Sequence, residues 1–199
     1  MLHYLISFGI HFISYWYLVY LYDDFKEKDY NISVKNSLIN QFVITLPATY
    51  FFLEHYIINY NDLLLSLSIF PIIVICSDIY FYILHRILHH RYFWHLHKTH
   101  HKGSLFIAKS LDSDIFEHLV LNLGSFVIGL LVFSYFNIYL NIYVFHLFVG
   151  TGTINTCVSH SDKKHPYDNG LHQIHHKKLV YNYGFYPNIM DIFFNTFSN

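Results

Sequence analysis

The chain has 199 residues, enough for one domain with a sizeable core, and 54% of them are hydrophobic against only 13% charged. That balance suits a membrane protein better than a soluble globule, and a formal net charge of -1 leaves no basic excess to neutralise phosphates, which excludes nucleic acid as a partner. Two cysteines, Cys76 and Cys157, lie far apart in apolar runs and indicate neither a disulfide framework nor a thiolate metal site.

The first apolar stretch, Tyr4 to Tyr22, lacks a basic start and a small-residue cleavage site and reads as a retained anchor. Asp23 to Lys35 carries both signs of charge and reads as a solvated linker. Further apolar stretches follow from Gln41 to Tyr60 and from Leu63 to Leu84, separated by a turn at Asn61-Asp62. Each is about 20 residues, which at 1.5 Å per residue crosses a hydrocarbon core of about 30 Å. Ile115 to Gly150 is long enough for a helical hairpin turning near "YFNIY". The expected fold is an all-α integral membrane bundle of about four to five transmembrane helices. It forms a single membrane-embedded domain, with anchor helices over 1–60 and a functional region over 63–199.

Seventeen histidines are a large excess, and twelve fall between His85 and His101 or between His160 and His176. His85 and His89 are four apart at the end of an apolar helix, so both rings share one face. His97, His100 and His101 form a His-x-x-His-His pattern, and His172, His175 and His176 repeat it. At this histidine content one such pattern is expected by chance roughly 0.1 times in the chain, so two copies are not noise. Neutral imidazole is a good ligand for iron, zinc, copper or nickel, and eight rings from three segments suffice for two metal ions, with His160 the natural ninth. His3, His11, His90, His95, His146 and His165 read as core or interface histidines.

If the hairpin returns the chain to its starting side, the two His-rich segments meet there. They also hold most of the basic residues, among them Arg86, Arg91, Lys98, Lys177 and Lys178, which places this cap in the cytosol.

"DIYFYILHRILHHRYFWHLHKTHH", followed at a distance by "LHQIHHKKLVYNYGFYPNIMDIFFNTF", resembles the fatty acid hydroxylase and sterol desaturase superfamily, which includes the sterol C4-methyl oxidases. The similarity covers about Asp78 to Phe197 and rests on three spaced histidine motifs with their flanks. It implies a membrane enzyme, of the endoplasmic reticulum, with a cytosolic di-iron centre, zinc being the alternative occupant. Such an enzyme uses dioxygen and electrons from a separate donor, cytochrome b5 or a reductase, to hydroxylate or desaturate a fatty acyl chain or sterol drawn from the membrane lipids. The implied ligands are His85, His89, His97, His100, His101, His160, His172, His175 and His176. Asp78, Arg86 and Glu117 are the implied catalytic residues outside that set, and Asp78, Glu117 and Asp191 are the acids expected behind the ligating rings. Asn182, Tyr183 and Gly184 match the flank of the third motif. Two positions depart from the pattern: Asp114-Ile115 stands where the superfamily often has His-Pro before its Glu, and the terminal Phe-Gly-Thr reads Phe194-Asn195-Thr196, which is expected to alter a turn. The rival readings are an acyl-lipid desaturase, which differs in outcome rather than in reagents, and a metal-binding or scaffold membrane protein without catalysis.

Overall fold

The computed structural model describes residues 2–55, 62–163, 165, 170–185 and 188–199. Among them the chain is helical and forms no strand. Four helices are long and apolar enough to cross a bilayer: α1 (Leu2–Tyr22), α4 (Leu63–Leu88), α6 (Ile115–Tyr135) and α7 (Ile142–Ser159). Between them lie α2 (Tyr30–Ile39), α3 (Leu46–His55) and the short α5 (Trp94–His97), and α8 (Leu171–Lys178) and α9 (Ile189–Phe193) follow α7. The protein is an all-α membrane bundle. Leu64, Ile13, Tyr17 and Leu147 are among many large apolar side chains exposed on its outer surface, as a bundle solvated by lipid requires.

The length of α4 positions the site. From Leu63 to His85 a helix rises about 33 Å, slightly more than the hydrocarbon core, so His85 stands at its edge and His89 just beyond. Gly129 of α6 lets α4 approach closely: a Cβ there would stand 2.9 Å from Ile73 Cγ2 and 3.1 Å from its Cα. The two helices bury Ile69, Ile73 and Leu130 in one cluster with Ile142, Phe145 and Phe148 of α7. The hairpin predicted over Ile115 to Gly150 is α6 and α7, and it turns at 136–141, so α6 begins and α7 ends on the same side.

One reading of the N-terminal half is corrected, and a second falls partly outside the described residues. Asp23 to Lys35 is not all linker, because α2 begins at Tyr30 and packs inward through a polar face. Ser33 Oγ and Asn36 Nδ2 donate to the two oxygens of Asp112 at 2.6 and 2.8 Å, and Ser37 Oγ donates to the Ala108 carbonyl at 2.8 Å. Gln41 to Tyr60 is not among the four spanning helices of the described residues. Its start winds as a π-helix over Asn40–Thr45, with Asn40 and Gln41 buried and hydrogen-bonded, and α3 carries the helix on to His55. Residues 56–60 and Asn61 of the predicted turn lie outside the described residues.

The histidines set aside as core groups tie α1 to α7. Ser7 Oγ lies 2.9 Å from His146 Nδ1, and His11 Nδ1 lies 2.9 Å from Thr153 Oγ1. His90 and His95 are exposed near the cap.

Candidate metal centre

Each predicted ligand comes from the end of an element. His85 lies in the last turn of α4 and His89 at its C-cap; His97 ends α5, and His100 and His101 follow in the next turn; His160 caps α7; His172, His175 and His176 lie on α8. The structure brings all nine together and divides them into two groups. His85, His89, His97, His101 and His175 form one, and His100, His160, His172 and His176 the other, with the ligand atoms of each group within 4.8 Å of one another. Neither His-x-x-His-His copy belongs to one group. The first sends its i, i+4 pair, His97 and His101, to the five-ring group and His100 to the other; the second sends His172 and His176 to the four-ring group and His175 to the first.

Protonation is set from behind the rings. Nδ1 of His85 donates to the Tyr183 carbonyl at 2.6 Å, Nδ1 of His175 to the Tyr181 carbonyl at 2.7 Å, and Nδ1 of His160 to the Thr156 carbonyl at 2.8 Å. His97 Nδ1 lies 2.8 Å from Glu117 Oε1. A carbonyl can only accept, so Nδ1 carries the proton, and in a neutral imidazole Nε2 is then a bare lone pair. Those lone pairs converge: His85 and His97 stand 2.9 Å apart at Nε2, His89 and His175 3.1 Å, His160 and His172 3.1 Å, and His172 and His176 3.1 Å. The bare Nε2 lone pairs of His85, His160 and His175 thus face neighbouring ring nitrogens at 2.9 to 3.1 Å, a place suited to a cation.

The spacing also fits ligation. With metal–nitrogen bonds of about 2.0–2.1 Å, ligands at right angles stand about 2.9 Å apart and tetrahedral ones about 3.3 Å. The observed separations are on the short side, and five rings in one group exceed the four positions of a tetrahedral structural zinc site. The donor set therefore suits a five-ligand site beside a four-ligand one, both bound by imidazole alone.

Burial keeps the rings in the ligating form. Desolvation pushes His89 and His160 down to about 4 and His175 to about 3. Desolvation first, and then the crowding of neighbouring imidazoles, holds His97, His100, His101, His172 and His176 well below the usual histidine range. In the unfolded chain these rings titrate near 6.5. Below that pH the unfolded state binds protons that the folded state refuses, so stability falls as pH falls. After chelation, the melting temperature is expected to drop steadily from pH 7 to pH 4.5 in a thermal unfolding series; a flat profile would contradict neutral, buried rings.

The predicted acids differ in what they touch. Glu117 alone contacts a ligating ring. Asp78, fully buried, accepts from the backbone N–H of Phe185 at 3.2 Å and of Ile189 at 2.9 Å. Asp191 accepts from Tyr183 and Gly184 N–H at 2.9 and 2.6 Å and from Thr196 Oγ1 at 2.7 Å. Both thus hold the loop whose carbonyls aim His85 and His175, and they converge on Gly184, where a Cβ would stand 2.6 Å from Asp78 Oδ1 and 2.9 Å from Asp191 Oδ2. Arg86 is not brought to the cage: it is exposed, donates to Tyr82 Oη at 2.8 Å and lies over the Phe194 ring. Its position on α4, one residue after His85, turns it to another face.

Both departures from the superfamily pattern have local substitutes. Asp114 caps the start of α6 by accepting from Phe116 N–H at 2.8 Å, in place of a proline at the helix start. Asn195 adopts φ 55, the left-handed conformation that Gly accepts freely and Asn tolerates best among other residues. Sequence reasoning missed the carbonyls of Thr156, Tyr181 and Tyr183, which have no side-chain signature. It also missed the π-helical stretch His118–Leu123 directly after Glu117. Such bulges are frequent at functional sites, and this one sets His118 against Thr45 Oγ1 at 2.9 Å.

A cavity of about 400 Å³ runs from the cage into the bundle. His85, His97, His100, His160 and His172 stand at its head, and Phe81, Leu121, Phe126, Leu130 and Phe148 line its walls.

The sequence model of a family described as fatty acid hydroxylase matches residues 70–196. The chain is 28% identical over 132 residues to a protein of Dictyostelium discoideum named as a methylsterol monooxygenase, covering 60% of this chain and 47% of that one. It is 29% identical over 166 residues to fatty acid hydroxylase domain-containing protein 2 of Homo sapiens, covering 76% of this chain and 47% of that one. The chain thus spans about half the length of the curated relatives it matches. No solved structure matches it.

Proposed function

The chain belongs to the fatty acid hydroxylase family, and from that premise we propose that it is a membrane-embedded di-iron oxygenase. It hydroxylates, or desaturates, an unactivated C–H bond of a fatty acyl chain or sterol with dioxygen and electrons from a separate donor. The observation that carries this reading is the pair of adjoining imidazole groups at the head of an apolar cavity. Two iron ions held there by His85, His89, His97, His101 and His175 and by His100, His160, His172 and His176 would supply dioxygen reduction and C–H cleavage.

The protein's own contribution is aim and dryness. Carbonyls of Thr156, Tyr181 and Tyr183 and the Glu117 carboxylate hold four rings with Nε2 inward. Phe81, Leu121, Phe126 and Phe148 exclude water from the cavity and give an alkyl skeleton an apolar wall. The lipid enters from the bilayer side, because the cavity lies among the spanning helices and the cage closes its polar end. Arg91, Lys98, Lys102, Lys177 and Lys178 are exposed around the cage, which supports a cytosolic cap, and the endoplasmic reticulum is the membrane the reading favours.

The test is lipidomics of membranes expressing the wild type or His175→Ala, with iron and oxygen supplied. A lipid that gains an oxygen, or loses two hydrogens, should accumulate with the wild type alone. Identical lipid profiles in the two membranes would overturn the oxygenase reading.

A further inference from the structure

Arg86 and the stretch after Asn188 take no part in the cage, yet they lie side by side. On α9, Ile192 is 61% exposed and Phe193 75%, and Ile189, Phe194 and Phe197 are exposed around them. A contiguous apolar patch of this kind marks an interaction surface, and at five residues α9 is far too short to span a bilayer. Its depth is set by α4. Ile189 N–H donates to Asp78 Oδ2 at 2.9 Å, Tyr82 Oη lies 3.2 Å from Thr196 Oγ1, and the Tyr82 and Phe194 rings stack. Asp78 stands seven residues before His85, about 10 Å along the helix, so α9 is fastened to a point inside the hydrocarbon layer whose edge His85 marks. Apolar side chains turned outward at that depth meet acyl chains.

The rim of the patch is cationic. The exposed Arg86, one turn beyond Tyr82 on α4, donates to Tyr82 Oη at 2.8 Å and lies 5.8 Å over the Phe194 ring. Its guanidinium thus tops the patch at the level where α4 leaves the hydrocarbon. Lys178 Nζ donates to Ser198 Oγ at 3.2 Å, next to Phe197, and Lys177 is exposed beside it. No exposed acid offsets them: the only acids of α4 and of residues 171–199 are Asp78 and Asp191, both fully buried. An apolar face with a basic rim is the pattern of a segment lying at the boundary of headgroups and acyl chains. A second copy of this chain fits less well, because a self-complementary contact would gather the same three cations with no acid to receive them.

We propose that Ile189 to Phe197 is a docking surface for the membrane itself, its apolar side chains sunk among acyl chains while Arg86, Lys177 and Lys178 engage the phosphates of anionic phospholipid. Arg86, turned away from the cage, then has a binding role of its own.

Fluorescence of the full chain carrying Phe193→Trp, in lipid nanodiscs, tests this independently of the oxygenase reading; the signal of the parent chain, with Trp16 and Trp94, is subtracted. Phospholipid brominated in its acyl chains should quench the added indole, and aqueous iodide should quench it little. In discs of equal parts phosphatidylcholine and phosphatidylglycerol, bromine on the phosphatidylglycerol should quench more than bromine on the phosphatidylcholine. The apparent preference should be at least roughly fivefold, the worth of one basic side chain at a charged surface. Arg86→Gln combined with Lys178→Gln should bring it near parity, and Arg86→Lys should keep it. Iodide quenching without bromine quenching would put the segment in water and overturn the proposal. Protection from both quenchers would mean that protein covers the face, with the same result. Equal quenching by the two lipids, or a preference unmoved by loss of the two cations, would refute the phosphate contact. Should the doubly substituted chain fail to fold, the ratio in the chain with Phe193→Trp alone decides.

Discussion

His100→Ala and His101→Ala, substitutions one residue apart, are expected to weaken metal binding at different sites. His100 belongs with His160, His172 and His176, and its loss leaves three rings, whereas His101 belongs with His85, His89, His97 and His175 and its loss leaves four. Wild-type protein should bind about two ions per chain by elemental analysis. His100→Ala should bind about one, and adding His172→Ala should remove nothing more, because both changes fall on the same group. Combining His100→Ala with His85→Ala and His89→Ala should bring the content near zero. This is the logic of a mutant cycle, in which changes at one site fail to add and changes at separate sites do. Lipid oxidation should fall by more than about 100-fold in each variant, since even removing the partner behind a ligand costs 10–100-fold. A triple variant retaining one ion would refute the division, and full activity in His100→Ala would refute the di-metal reading.

That division is the part of the site hardest to read in the sequence. Nine histidines were legible because their number, residue type and i, i+4 spacing have no bland explanation in an apolar chain. The natural inference was that each His-x-x-His-His copy presents one face to one place. In the structure His97 and His101 share a face and His100 turns aside, and His172, His176 and His175 do the same on α8. Each copy therefore gives two rings to one group and one to the other, which ties the two sites mechanically.

Other features were legible only in part, for identifiable reasons. Hydropathy marks spans by counting, so Gln41 to Tyr60 looked like the others. It does not register that Asn40, just before that stretch, is buried and donates through Nδ2 to the carbonyls of Leu111 and Ser113. Charge marked Asp23 to Lys35 as solvated, although the small polar residues Ser33 and Ser37 make a buried contact face for α2. Asp78 was legible as an acid expected behind the ligating rings, but its partners lie more than 100 residues away, in the loop at Phe185 and at the start of α9. No periodicity reports such a contact.

Asp191→Ala is expected to be the most damaging change outside the ligands. The carboxylate is fully buried and accepts from Tyr183 N–H, Gly184 N–H, Asn188 Nδ2 and Thr196 Oγ1, at 2.6 to 3.4 Å. Alanine leaves these donors in a site closed to water, at a cost of about 3–5 kcal/mol. The loss would not stay local, because Tyr183 turns its N–H to Asp191 and its carbonyl to His85 Nδ1. Slackening one end of that residue frees the other, and the His85 ring loses the contact that fixes its tautomer. Thermal unfolding in detergent should show the lower stability, and a chelator should strip metal from the variant faster than from the wild type. Asp191→Asn should fall between, since its amide keeps one acceptor and sets a donor against a donor at Tyr183 or Gly184. Gly184→Ala should resemble Asp191→Ala, as its methyl would meet both carboxylates at under 3 Å. If Asp191→Ala lowers stability but leaves the rate of metal loss unchanged, the acid merely closes the C-terminal loop; if both move together, it acts through the Tyr183 carbonyl to position His85.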